Sequence, residues 1–197
     1  YAMYWSRFIH ATFGWLTIVL LYFVVKRLFN RPTALLAAGF LAVNHRHVLG
    51  SHFGLPDILN GFFALLALYA AALLIEKRTL KRYIFVGIAA GLSFSMKYQP
   101  FAFLPLLISH LYWAVKEKKI SHLIHPYAWL ALFTALGTFT IMNPYYFPNI
   151  QNAFFRNDQD IRRYQMGILE FRPYGFFYLF HWGIGRLPSI AVIVGAI

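Results

Sequence analysis

The chain has 197 residues, 60% of them apolar, 20% aromatic and only 12% charged, with a mean hydropathy of +0.57. A soluble domain of this size needs roughly 25% charged residues to cover its surface, so that class is set aside. Cysteine is absent, which removes disulfide frameworks and thiolate metal sites, and the net charge of +12 becomes a question of placement.

A hydrocarbon core of roughly 30 Å needs about 20 helical residues to cross it. The first such run spans 8–25 and ends in Lys26, Arg27 and Arg31 before Pro32. The second starts at Thr33, is apolar to Val43 and fades into His45-Arg46-His47, so a span over 33–49 is expected. The third covers 58–75, after Pro56-Asp57, and stops at the charged run from Glu76 to Arg82. An apolar stretch over 83–115 follows, interrupted by Lys97-Tyr98-Gln99-Pro100, and it ends at Lys116-Glu117-Lys118-Lys119. A further span is expected over 126–143, then an external polar-aromatic segment over 143–187, and another helix starting at 188. Tyr1 at one end and an unfinished apolar run at the other are read as truncations. The expected architecture is all-α: a fragment of one multi-spanning transmembrane bundle with external loops.

As one helix, 83–115 would be about 50 Å long, too long for an untilted span. Charge placement arbitrates. Basic clusters at 26–31, 77–82 and 116–119 hold ten of the 18 lysines and arginines. The positive-inside rule puts all three on the cytoplasmic side, which requires a hairpin at Lys97. Pro100 favours the break, because it disfavours helical geometry at Gln99. Residues 1–7, the loop 45–57 and the segment 143–187 then face the other side.

Of six acids, Glu76 and Glu117 lie in the basic loops and read as solvated counter-charges, while Asp158, Asp160 and Glu170 lie in the long external segment. Asp57 stands alone at the mouth of an apolar helix. It reads either as a helix N-cap, held by backbone N–H groups and the helix dipole, or as a carboxylate binding a polar substrate or assisting proton transfer. Lys97, at the tip of a short hairpin, is costly within a membrane. It either snorkels to the interface or awaits an anion; no acid near it in sequence supplies one, and a lipid-linked phosphate would. His45, Arg46, His47, His52 and Asp57 invite a metal reading, but their spacing matches no defined site and favours interfacial or phosphate-facing roles; no cofactor is called for, and a divalent metal stays open. Arg7, at the outer end of the first span, reads as interfacial or anion-facing. Arg156, Arg162, Arg163, Arg172 and Arg186 add to a basic excess on the external side, which suits anionic headgroups or pyrophosphate-like ligands rather than nucleic acid.

Several segments resemble the polytopic GT-C glycosyltransferases, and among them the dolichyl-phosphate-mannose–protein mannosyltransferase-like group, which includes the lipid A aminoarabinose transferases. They are Ser6-Arg7 leading into an apolar span and the basic run from Lys26 to Arg31; the stretches from Ala37 to Asn44 and from Ser51 to Asp57; the run from Gly87 to Tyr98, with its Gly-x-x-x-Gly-Leu-x-x-x-x-Lys-Tyr pattern; and Asn143-Pro144. The resemblance implies transfer of a sugar from a polyprenyl-phosphate donor to a protein, lipid or glycan acceptor outside the cytoplasm. It places the principal base in a loop upstream of Tyr1. Asp57 matches a supporting acid and Lys97 a residue near the carrier phosphate; Arg7, His52 and Tyr98 are expected beside them as substrate-binding residues. A multi-pass place in a bacterial inner membrane is favoured over the endoplasmic reticulum. The alternatives from other classes are a transporter or flippase of an anionic lipid or solute, using intramembrane cations and broken helices, and a non-catalytic subunit of the same ancestry.

Overall fold

The apolar runs form helices, and the residues between them set where each helix ends. The computed structural model describes residues 1–54 and 56–150, and among these there is no strand. The helices are α1 (Ala2–Leu28), α2 (Arg31–Ala42), α3 (His45–His52), α4 (Asp57–Glu76), α5 (Leu80–Lys97), α6 (Leu104–Glu117) and α7 (Pro126–Met142), with short 3-10 turns at Pro100–Phe103 and Ile120–Ile124. The described residues are thus all-α. Helices over Met3–Leu28, Asp57–Glu76 and Ile120–Met142 are long and apolar enough to cross a membrane.

Two differences from the expected elements have simple causes. Arg7 does not precede the first helix but lies inside it, because the apolar and aromatic residues Tyr4, Trp5 and Phe8 carry the helix back to Ala2. The segment 33–49 is not one helix. Asn30 starts α2, its Oδ1 accepting from the Thr33 amide (2.9 Å) and hydroxyl (2.8 Å), and Pro32 fits the first turn. The helix then stops at Ala42, where the apolar run gives way to Asn44, His45, Arg46 and His47. Its 12 residues reach about 18 Å, short of a full crossing.

The stretch 83–115 divides at Lys97. Tyr98 adopts the left-handed conformation (φ 53°), its N–H donating to the Phe94 carbonyl (2.7 Å), and Gln99 is extended ahead of Pro100. The 3-10 turn then turns the chain into α6, so α5 and α6 form a hairpin.

Residues 1–43 and 47–142 make one compact unit. Within it α1 and α4 run parallel: Phe13 meets Phe62 edge-on at 5.0 Å, and Arg27 grips Glu76 with two hydrogen bonds of 2.6 and 2.7 Å. Between α4 and α5, which run antiparallel, Ala67, Ala89 and Ala90 form a closely packed seam, beside a second cluster of Ala70, Leu74, Tyr83, Val86, Leu106 and Ala131. Against α7 the approach is closer still. A Cβ on Gly87 would lie 2.5 Å from the Ala131 carbonyl oxygen, and one on Gly91 2.5 Å from that of Ala135. Only glycine lets the two backbones come so near, as in small-residue contacts between membrane helices. Around this interior Phe8, Trp15, Phe40, Leu107, Phe133 and Ile141 point outward and stay exposed, which suits a lipid surround.

The helix directions gather the three basic clusters at one end of this unit. Arg27 pairs with Glu76, and Arg78 pairs with Glu117 (2.9 Å) while its guanidinium lies 4.4 Å from the Trp113 ring centre. His122 completes the junction, its Nδ1 accepting from Arg78 (2.8 Å) and its Nε2 lying 2.5 Å from Glu117. Among the described residues, 44–46 and 143–150 belong to a second unit, where the Asn149 amide donates to the Tyr145 carbonyl (3.1 Å). The rest of the expected external segment, with its arginines, and the helix expected at 188 lie outside the described residues.

Candidate functional site

At the end of the unit away from the basic clusters, α4 begins and α5 finishes side by side. Asp57 and Asn60 are three residues apart and share one face of α4, and Ser93 and Lys97, four apart, share one face of α5. Because the helices are antiparallel, the two pairs meet rung by rung. The Lys97 ammonium donates to Asp57 Oδ1. The Ser93 hydroxyl donates to Asn60 Oδ1 (2.9 Å), and the Asn60 amide donates to Gln99 Oε1 (3.2 Å). Each ion also sits at the helix end whose dipole favours it, the carboxylate at an N-terminus and the ammonium at a C-terminus.

The pairing answers two questions that the sequence left open. Asp57 is not an N-cap: Pro56 holds that position, and Asp57 is the first helical residue, its carboxylate turned to Lys97. Lys97 does have an anionic partner, one that is 40 residues away in sequence. Proximity along the chain could not reveal it, because the α4–α5 hairpin makes the contact. The pair is open: the side chains of Lys97 and Asp57 are 34% and 54% exposed. A ligand can therefore reach either ion.

Tyr98 follows directly. Its ring packs edge-on to Phe94 (6.2 Å) and Phe139 (5.8 Å), which ties the turn to α7. The other expected site residues stand apart from the pair. Arg7 is exposed on α1, and His52 closes α3 with its Nδ1 bound to the Val48 carbonyl (2.7 Å). Neither bonds to Asp57 or Lys97. The loop before α4 does run close to α1, since a Cβ on Gly54 would lie 2.5 Å from the Ser6 hydroxyl, and His47 Nε2 lies 3.0 Å from the Gly14 carbonyl. The histidine and acid cluster around 45–57 does not converge on a metal: among the described residues no three His, Asp or Glu side chains are placed to share an ion.

Asn60, Ser93 and Gln99 did not stand out as site residues in the sequence. The available signal was weak but physical: uncharged polar groups on apolar helices, at spacings that put them on the faces carrying Asp57 and Lys97.

A bundle of apolar helices with a broken helix pair and an ion pair at one end defines a multi-spanning helical membrane protein with a polar site at a helix junction. Residues 4–143 match the family model described as dolichyl-phosphate-mannose-protein mannosyltransferase, and the chain belongs to that family, one of glycosyltransferases. The resemblance read from its motifs is borne out. No curated protein and no solved structure matches the chain.

Proposed function

We propose that this chain forms part of an inverting glycosyltransferase that moves a sugar from a polyprenyl-phosphate donor to an acceptor hydroxyl on the non-cytoplasmic face of its membrane. The observation that carries the reading is the open Asp57–Lys97 pair at the end opposite the three basic clusters. By the positive-inside rule the end with the basic clusters is cytoplasmic, so the pair faces the other compartment. A bacterial inner membrane is the setting we favour.

In the reaction, the acceptor oxygen attacks the anomeric carbon, the bond from that carbon to the phosphate oxygen breaks, and the hydroxyl proton passes to a carboxylate base. Negative charge grows on the departing lipid phosphate. A fixed cation in a partly dry site stabilises that charge, and Lys97 is suited to the task. Asp57 acts as the supporting acid that orients a hydroxyl of the sugar or the acceptor. Arg7, His52 and Tyr98 are assigned to the surrounding substrate-binding surface. The isoprenoid tail stays in lipid beside the exposed apolar helix faces.

The test is incubation of the full-length protein with radiolabelled polyprenyl-phosphate sugars. Transfer of label to an acceptor, lowered at least tenfold in Asp57→Asn and Lys97→Ala at unchanged expression, is expected. Movement of intact labelled donor across the bilayer without transfer would instead establish a flippase. Wild-type turnover in both variants would remove the pair from the site.

A further inference from the structure

Resting on that reading, we infer that the Asp57–Lys97 pair is a latch that biases the order of binding at the site: the donor's phosphate draws Lys97 away and so frees Asp57 to hold a hydroxyl. Three observations lead there. The resting carboxylate is bound to the ammonium, so the oxygen facing Lys97 is not available to a substrate. Both side chains are partly exposed, so an incoming phosphate reaches the lysine without moving a helix. Lys97 also ends its helix next to Tyr98, Gln99 and Pro100, where the backbone is no longer helical, while Asp57 sits on the first turn of α4, one turn from Asn60, which is anchored to Ser93 and Gln99. The anchoring keeps the two helix ends in place while the long lysine side chain swings.

The exchange is electrostatically reasonable. A partly exposed ion pair holds by about 0.2–1 kcal/mol. A phosphodiester oxygen offers the same ammonium a charged acceptor, less basic than a carboxylate, and the binding of an isoprenoid tail adds to it. Release leaves Asp57 as a bare carboxylate at a helix N-terminus, where the dipole tolerates it. An acceptor hydroxyl arriving first would compete with Lys97 for Asp57 Oδ1, so its seating is favoured once the donor's phosphate has drawn the ammonium away.

The latch is tested by zero-length cross-linking of the full-length protein with a water-soluble carbodiimide, which joins an amine to a carboxylate only when the two touch. Peptide mass spectrometry should find Lys97 joined to Asp57 in the resting protein. With farnesyl methyl phosphate, a phosphodiester with an isoprenoid tail, the yield of this cross-link should fall at least fivefold, and Asp57 should instead take up added glycine ethyl ester. Saturation is set by binding of the tritiated compound. Farnesol, the tail without charge, should leave the cross-link intact, and dimethyl phosphate at the same concentration should do likewise. Equal release by dimethyl phosphate would show recognition of phosphate alone and overturn the lipid-linked order. Failure of the phosphodiester to bind, or a cross-link that persists once it is bound, would overturn the latch itself. A second readout separates latch from scaffold: Asp57→Asn should bind farnesyl methyl phosphate about two- to fivefold more tightly, because the competitor for Lys97 is gone. A purely structural Asp57 would give weaker binding in that variant, which counts against the latch. Absence of sugar transfer in the full-length protein sinks the enzymatic reading and leaves the cross-linking result to be judged separately.

Discussion

Replacing Gly91 with alanine should loosen the α5–α7 contact that supports the turn bearing Lys97. The new Cβ would lie 2.5 Å from the Ala135 carbonyl oxygen and 2.8 Å from the Thr138 Cβ. A comfortable carbon-to-oxygen approach is about 3.3 Å, so the helices must part by roughly 0.8 Å at this point. The carbonyl belongs to the backbone, and no rotamer change relieves the clash. Overpacking of this kind costs about 1–3 kcal/mol, while the helix propensity of alanine returns up to about 1 kcal/mol, leaving a net loss of roughly 1–2 kcal/mol. Gly137 supplies the internal control. It lies on α7, and a Cβ there meets nothing within 4 Å, so Gly137→Ala should be neutral or gain up to about 1 kcal/mol. Graded SDS unfolding in mixed micelles, followed by tryptophan fluorescence, would measure both. A Gly91→Ala protein as stable as Gly137→Ala would refute the argument that glycine is retained there for helix approach. Gly87→Ala should resemble Gly91→Ala, and the double variant should lose less than the sum, because one separation relieves both clashes.

Two further substitutions probe the polar contacts at either end of the bundle. Ser93→Ala removes the donor to Asn60 Oδ1 and should cost about 0.5–1.5 kcal/mol in the same assay; unchanged stability would show that the bond contributes nothing to the α4–α5 contact. Trp113→Phe should lose a similar amount, because its ring N–H donates to the Leu74 carbonyl (3.0 Å) near the open end of α4; retention of full stability would show that this carbonyl is satisfied without it.

The legibility of the fold varied with the kind of signal. The break at Lys97 could be read because charge placement and Pro100 agreed on it, two independent constraints on one short segment. The gap after Ala42 was harder, since apolar residues run on to Val43 and the helix resumes within the polar stretch at His45. Hydropathy averages across such an interruption. The extension of α1 back through Arg7 has the opposite cause: the continuous apolar run starts at Phe8, yet one arginine among aromatic residues does not stop a helix. At the site, Asp57 and Lys97 drew notice because each is expensive among apolar neighbours. Asn60 carries no charge and gave no comparable warning.

What the amino-acid order determined by itself was the class of the protein, its apolar helical segments and the ends where cations collect, because burial in lipid acts on each segment separately and is additive along the chain. What only the tertiary structure decided was partnership. The pairing of Lys97 with Asp57, the seat of Asn60 between Ser93 and Gln99, and the contact of Gly87 and Gly91 with the α7 backbone all depend on the direction and register of neighbouring helices. Register is set by the fit of many small side chains at once, and no local stretch of sequence contains that sum.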